Sequence, residues 1–225
     1  MKKIIALLLV LAFAFSLVSC GSDDDIRGTV STAPSGETSA ISGDDSAELS
    51  LGTSANNTYE NKFLGIGCKL DSNWTFYTDD EILEMNNIMK DAAGEEYAEA
   101  IENAEIIYDM YALTSDSLKT VNVNIQNLGL VYGKVLDEDA YIDAALDSTK
   151  GALESMGMEN VAMKKTTVTF AGEAHGAIAI AGEISGIKLY EKLVCIKVGK
   201  YMANITVASY IDDSTDEVLS AFYAL

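Results

Sequence analysis

From residue 58 onward the chain carries regularly spaced apolar residues, and the first of them fall at every second position. Four residues share this spacing: Leu64, Ile66, Cys68 and Leu70. Such alternation predicts a strand with one buried face. A short turn at residues 71–73 then leads to a second strand, predicted at 74–77.

Two helices follow from apolar residues spaced three or four positions apart. The first is predicted to begin at Thr78, because Thr78 and Glu81 have the spacing of a capping box. Its apolar positions continue past a predicted break at Gly94 and recur at helical intervals: Ile82, Met85, Met89, Ala92, Tyr97, Ile101 and Ala104. The second helix is predicted at 139–156, with Gly157 as its left-handed stop.

Strand patterns occupy most of the remaining sequence. Two strands are predicted at 106–113 and 121–126, and the second alternates Val or Ile with Asn or Gln, which indicates one dry and one wet face. Four further strands predict an antiparallel meander, at 161–170, 174–184, 187–198 and 201–210. Its reversals are expected at Ser185-Gly186 and Gly199-Lys200.

A last short helix is predicted after Ser214 and Glu217, which repeat the capping-box spacing. Its apolar residues are Val218, Leu219 and Phe222. The predicted order of elements is therefore strands, helix, strands, helix, meander and helix.

This order, together with the Leu-Gly-Ile-Gly-Cys-Lys-Leu-Asp-Ser-Asn-Trp run at 64–74, resembles the PsbP-like family. Members open with a Gly-containing apolar strand and a Pro-x-Gly-Trp-like turn; here Trp74 matches, while Asp71 and Asn73 replace the proline and the glycine. The resemblance implies an α/β fold of the α+β type, a three-layer sandwich whose central antiparallel sheet has helices on both faces. It covers one domain, residues 58–225, and implies no activity, because one fold hosts many functions.

The first 19 residues have the pattern of a bacterial lipoprotein signal. Lys2 and Lys3 precede an apolar run at 4–18 that is shorter than the about 20 residues of a membrane-spanning helix. Residues 17–20 (Leu-Val-Ser-Cys) resemble the lipobox. We therefore expect lipid attachment at Cys20, which would hold the protein at the extracytoplasmic face of the cell membrane. The alternative is an ordinary secreted protein in which Cys20 is a free thiol.

Residues 20–57 are predicted to be an acidic, flexible tether. Gly, Ser, Thr and Ala fill 21 of the 37 positions from 21 to 57, and no aromatic residue occurs there. Such a composition cannot bury enough apolar surface to offset the entropy of ordering the chain. We expect this segment to give the domain reach from the membrane.

Net charge excludes some partners. The chain carries −20, and removing Lys2 and Lys3 with the signal makes this −22. Nucleic acids and anionic lipid surfaces are bound by Lys/Arg patches, so we expect neither partner for the domain.

No catalytic, cofactor-binding or metal site is predicted. The single histidine, His175, could ligate a metal together with Glu173, although an exposed residue at a strand end is the better explanation. No nucleophile motif or glycine-rich phosphate loop accompanies it. A pair of carboxylates acting on a glycoside stays open, because sequence cannot show their separation.

Acidic clusters suggest calcium but fit helix capping better. Asp71 and Asn73 have the first spacing of an EF-hand loop, yet Phe76 and Ile82 occupy its glycine and glutamate positions. Acidic residues also precede each predicted helix, at 79–81, 137–139 and 212–213, where free backbone N–H groups favour negative charge.

Cys68 and Cys195 are predicted to be unpaired core thiols, since Cys68 shares the apolar face of its strand. A disulfide closing the long loop between them is the alternative.

The function expected from these patterns is a non-enzymatic surface lipoprotein that binds or assists another envelope protein. The alternative is an extracytoplasmic carrier of a small ligand or a cation such as calcium, and a hydrolase comes third. Converging carboxylates would favour the last two functions, whereas an exposed apolar patch would favour the first.

Overall fold

The computed structural model describes residues 49–92 and 106–225. Cys20, the predicted signal, most of the predicted tether and residues 93–104 of the first predicted helix lie outside these ranges. The strands are β1 (Thr53–Ala55), β2 (Thr58–Asn61), β3 (Ile66–Lys69), β4 (Trp74–Phe76), β5 (Ile106–Thr114), β6 (Lys119–Asn127), β7 (Met158–Phe170), β8 (Glu173–Ile184), β9 (Ile187–Val198), β10 (Tyr201–Tyr210) and β11 (Phe222–Ala224). The helices are α1 (Asp79–Ala92), α2 (Gly129–Val135), α3 (Glu138–Ser155) and α4 (Thr215–Leu219).

Seven strands form a large antiparallel sheet in the order β4-β5-β6-β10-β9-β8-β7. The predicted meander is confirmed as its β7-β8-β9-β10 half. Ser185 and Gly186 have φ of 53° and 79°, so the two-residue turn between β8 and β9 has both central residues left-handed.

A second, four-stranded antiparallel sheet has the order β1-β2-β3-β11. Its first strand lies in the range predicted as tether, so residues 49–57 belong to the folded part. Phe222, predicted on the last helix, instead begins β11 and pairs with Cys68.

The expected three-layer sandwich with helices on both faces of one sheet is wrong. One face of the large sheet packs against the four-stranded sheet and α4, through a core that includes Tyr59, Cys68, Val123 and Ile205. The other face packs against α3 and α1. The fold is therefore mostly β, with a second sheet where the resemblance implied a helical layer.

The predicted wet face of β6 is also wrong, because helices cover it. Asn122 and Asn124 are 2% and 1% exposed. They point to the same side of the large sheet as Asn204, whose amide nitrogen donates to Tyr141 Oη on α3 at 3.1 Å.

Asp109 joins the two sheets. It lies at a β-bulge in β5, where the register shifts between Tyr108 and Met110. The bulge directs its carboxylate toward the small sheet, where it accepts hydrogen bonds from Gly52 N–H at 2.8 Å, Tyr59 Oη at 2.5 Å and Asn61 Nδ2 at 2.7 Å. These bonds fix β1 and β2 over β5.

Helix ends follow the sequence in three of four predicted places. Glu81 N–H donates to Thr78 Oγ1 and Thr78 N–H donates to Glu81, which confirms the capping box of α1. Asp137 caps α3 through Ala140 N–H, and Gly157 ends it with φ of 90°. The cap predicted at Ser214 is wrong, because its hydroxyl donates to Asp212 instead.

Candidate functional site

Helix α2 presents an exposed apolar surface, which we call the α2 patch: Leu130, Val131 and Val135. Their side chains are 70%, 70% and 68% exposed. Monomeric soluble proteins rarely group large apolar side chains at the surface without a partner.

The local sequence explains why α2 turns this face outward. Asn127 Oδ1 accepts from Gly129 N–H at 3.0 Å, which forms a local turn directly before the helix. Gly133 is buried against the turn between β9 and β10, where a β-carbon at this position would lie 2.7 Å from Lys200 Cα. The glycine side therefore packs on the sheet and the apolar side faces solvent.

A second exposed feature is the edge of the large sheet. Strand β7 is 13 residues long and, among the strands that the structure describes, pairs only with β8. A two-residue turn at Ala171-Gly172 joins them, so Phe170 and Glu173 exchange backbone hydrogen bonds. Counting back along the ladder, four residues direct their backbone N–H and C=O to the free edge: Met163, Lys165, Thr167 and Thr169.

A groove of about 860 Å³ lies beside this edge, on the face of the large sheet next to α4. Its floor includes the small side chains of Ala179 and Ala181 on β8, which leave depth between the larger residues of β7 and β9. The four-stranded sheet covers β5, β6, β10 and one end of β7, β8 and β9, where Phe170, Ala177 and Val194 are buried, and leaves open the part of these strands around Ala179 and Ala181.

An ion pair sets one wall of the groove. Lys192 Nζ lies 2.5 Å from Asp216 Oδ1 and so ties α4 to β9. Lys164, also on the groove, is exposed and has no ion pair within residues 49–92 and 106–225. The groove thus has one neutralised and one available cation.

Lys165 lies on the same edge strand, but its side chain is on the face of the large sheet that packs against α3. Its ammonium lies 2.8 Å from Asp143 and 3.3 Å from Asp139, both on α3. Charged side chains on an edge strand discourage uncontrolled pairing with other strands. A charged side chain on β7 therefore disfavours pairing of this edge with apolar strands in general.

His175 meets a residue that the sequence did not suggest. Its Nδ1 lies 3.3 Å from Glu138 Oε1, at the start of α3, and the same oxygen accepts from Lys197 N–H at 3.1 Å. Glu173 is exposed at the start of β8. Within the described ranges no group of three or more His, Cys, Asp or Glu residues could hold a metal ion.

Cys68 and Cys195 are both free and buried, which confirms the prediction of unpaired core thiols. Cys68 lies between the two sheets, where burial raises its pKa to about 12. Cys195 lies on the helix-covered face and its thiol contacts Asn204 Oδ1 at 3.6 Å. Burial also raises the pKa of Cys195, so neither thiol is a reactive thiolate near neutral pH.

The acidic clusters mostly serve turns and helix starts. Asp71 Oδ1 accepts from Asn73 N–H at 2.8 Å. These two residues, which have the first spacing of an EF-hand loop, therefore form a local turn. Asp213 accepts from both the backbone and the hydroxyl of Thr215 at the start of α4.

Comparison with known proteins adds no relative. Neither models of known protein families nor curated proteins gave a match to the chain. Among the residues described, no helix is long and apolar enough to cross a membrane.

Proposed function

We propose that this protein is a non-enzymatic, extracytoplasmic binding module that is anchored through Cys20 and holds another envelope protein. The α2 patch carries this proposal. Its three large apolar side chains are each about two-thirds exposed. A partner that covers them is stabilised by roughly 25 cal/mol for each Å² of apolar surface that is removed from water.

The free edge of β7 supports a protein as the partner. An extended segment that pairs with this edge gains backbone hydrogen bonds at four residues, and its alternate side chains fall beside the groove. Exposed Lys164 favours an acidic side chain at the position of the partner's extended segment that faces this lysine.

Photocrosslinking on intact cells tests the α2 patch. A photoreactive residue at Val131 should capture one principal protein, and Leu130→Ser with Val135→Ser should remove that adduct. Leu83→Ser is the matched control, because Leu83 is 60% exposed on α1 and lies outside the α2 patch. An adduct that survives the double substitution would contradict the proposal.

Binding of the α2 patch to lipid is distinguished with vesicles. The Cys20→Ser full-length protein should not sediment with vesicles of neutral and anionic phospholipid, with or without Leu130→Ser. Sedimentation that depends on Leu130 would show that the patch docks on the membrane and would refute a protein partner.

The β7 edge is tested separately. Thr167→Pro removes an outward N–H and adds a ring at the free edge, whereas Thr167→Val keeps the N–H. A photoreactive residue at Thr169 should give the same adduct with Thr167→Val and lose it with Thr167→Pro at unchanged melting temperature. An unchanged adduct with Thr167→Pro would exclude strand pairing.

A further inference from the structure

The face of the large sheet under the helices carries a set of polar side chains, which we call the polar cluster. Its members are buried and each has a side-chain atom without a hydrogen-bond partner in the described structure: Tyr108 Oη, Asn122 Oδ1, Asn124 Nδ2, Glu191 Oε2, Thr206 Oγ1 and Tyr210 Oη. Native proteins leave few buried polar atoms unpaired, so six on one sheet face require an explanation.

Strand register brings these residues together. Asn122 lies directly opposite Thr206 across β6 and β10, and Tyr108 lies opposite Asn124 across β5 and β6. Glu191 reaches this group from β9: its carboxyl contributes, after burial, to the raised pKa of Tyr210. The polar cluster therefore spans four neighbouring strands.

One member of the polar cluster, Asn124, already has a hydrogen bond through its side-chain oxygen. Asn204 Nδ2 donates to Asn124 Oδ1 at 3.2 Å and to Tyr141 Oη at 3.1 Å. These bonds hold Asn124 in place and leave its amide nitrogen unpaired. Asn124 therefore presents its unpaired nitrogen from a side chain that is held by a hydrogen bond.

Glu191 is the one acidic residue among the six members of the polar cluster. It is 2% exposed. The neighbouring cation, Lys192, points to the opposite face of the sheet and pairs with Asp216. A buried carboxylate is costly without a counter-ion, and burial accordingly raises the pKa of Glu191 to about 8.

When Glu191 is ionised, two of the unpaired atoms can only accept and one can only donate. Asn122 Oδ1 and an ionised Glu191 can only accept, and the hydroxyls of Tyr108, Tyr210 and Thr206 can accept as well. Only Asn124 Nδ2 is restricted to donating. A ligand that suits this inventory carries several N–H donors and a positive charge.

We propose that the polar cluster binds a small organic ammonium compound, whose N–H groups donate to Glu191 and Asn122 and whose charge replaces the missing counter-ion. Burial and, after it, the charge of Glu191 raise the pKa of Tyr210, and Glu191 contributes likewise at Tyr108, so both hydroxyls lie near this carboxyl and can accept from the same ligand. Binding converts the Glu191 carboxylic acid to a carboxylate and releases its proton to solvent. The site lies on the face opposite the groove and is independent of the protein partner proposed above.

Calorimetry on the full-length protein with ethanolammonium chloride at pH 7 tests this proposal. We expect saturable binding and proton release, seen as a heat that changes with the ionisation enthalpy of the buffer. Ethylene glycol, of similar size but neutral, should not bind.

Glu191→Gln should weaken ethanolammonium binding at least tenfold and abolish proton release, with the fold retained. Glu173→Gln is the control, because it removes an exposed carboxylate from the neighbouring strand. Equal binding by the Glu191→Gln protein, equal binding of ethylene glycol, or no binding of ethanolammonium by the wild type would each overturn the proposal.

Discussion

At the scale of single residues, Glu191 links stability to pH. Its carboxyl releases a proton near 4.5 when unburied, but near 8 in the folded protein. Between these values the folded state binds the extra proton, so the free energy of unfolding falls as pH rises, by up to about 1.4 kcal/mol per pH unit. The contribution of Glu191 is complete below 4.5 and is lost as pH rises through 8.

Glu191→Gln lacks this titration. In the absence of added amines, we expect the variant to gain stability relative to the wild type between pH 5 and pH 9, by on the order of 3 kcal/mol. Urea unfolding of both proteins at pH 5, 7 and 9 measures the difference. A difference that is constant with pH would contradict the raised pKa.

Asp109 is the second residue with a large expected effect. Its carboxylate accepts from Gly52, Tyr59 and Asn61 in a buried position between the sheets. Asp109→Ala leaves these donors unpaired and should lower the free energy of unfolding by about 2–4 kcal/mol. Chemical denaturation measures this loss, and Glu173→Gln should change stability by less than about 0.5 kcal/mol.

At the scale of elements, the β7-β8 hairpin turns through an alanine in the left-handed region. Ala171 has φ of 49°, a conformation that costs an L-residue roughly 1 kcal/mol and costs glycine nothing. Ala171→Gly should therefore raise the melting temperature.

Ala162 gives the opposite control for this hairpin. It lies exposed on β7, in register with Ala181, and outside the positive-φ positions. Ala162→Gly should lower the melting temperature, because glycine weakens a strand interior. Shifts of the same sign in both variants, measured by calorimetry, would rule out the turn conformation as the cause.

Sequence patterns predict long elements of this fold well and short ones poorly. The β8-β9-β10 strands were recognisable because each is at least ten residues long and the turns that join them, at 185–186 and 199–200, contain glycine. In the second sheet β3 was predicted from its alternation, but β1, β2 and β11 were missed because they have three or four residues, too few for a period of two to be visible.

The candidate sites were missed for a related reason. Alternating Asn and Val on β6 indicate two different faces, but they cannot show that helices cover the polar face. Glu191 stands among apolar residues on β9. An acidic residue at such a position is the signal in the sequence that could have indicated the polar cluster. The α2 patch follows from Gly133 packing on Lys200, a contact between segments that sequence does not connect.

At the scale of the whole molecule, the location that we propose depends on Cys20. Cys20→Ser should move the protein from the membrane fraction to the soluble fraction, because the lipid chains that bury methylenes in the bilayer are lost. Fractionation and the size of the product on a gel measure this. A Cys20→Ser protein that stays in the membrane fraction at the mature size would contradict lipid anchoring.

Pairing of β3 with β11 also sets a time order for folding. Ile66 pairs with Ala224, so the four-stranded sheet stays incomplete until nearly the whole domain has left the ribosome. Contacts between such distant residues form slowly. The small sheet is therefore expected to close late in folding, after every strand of the seven-stranded sheet, the last of which ends at Tyr210, is available.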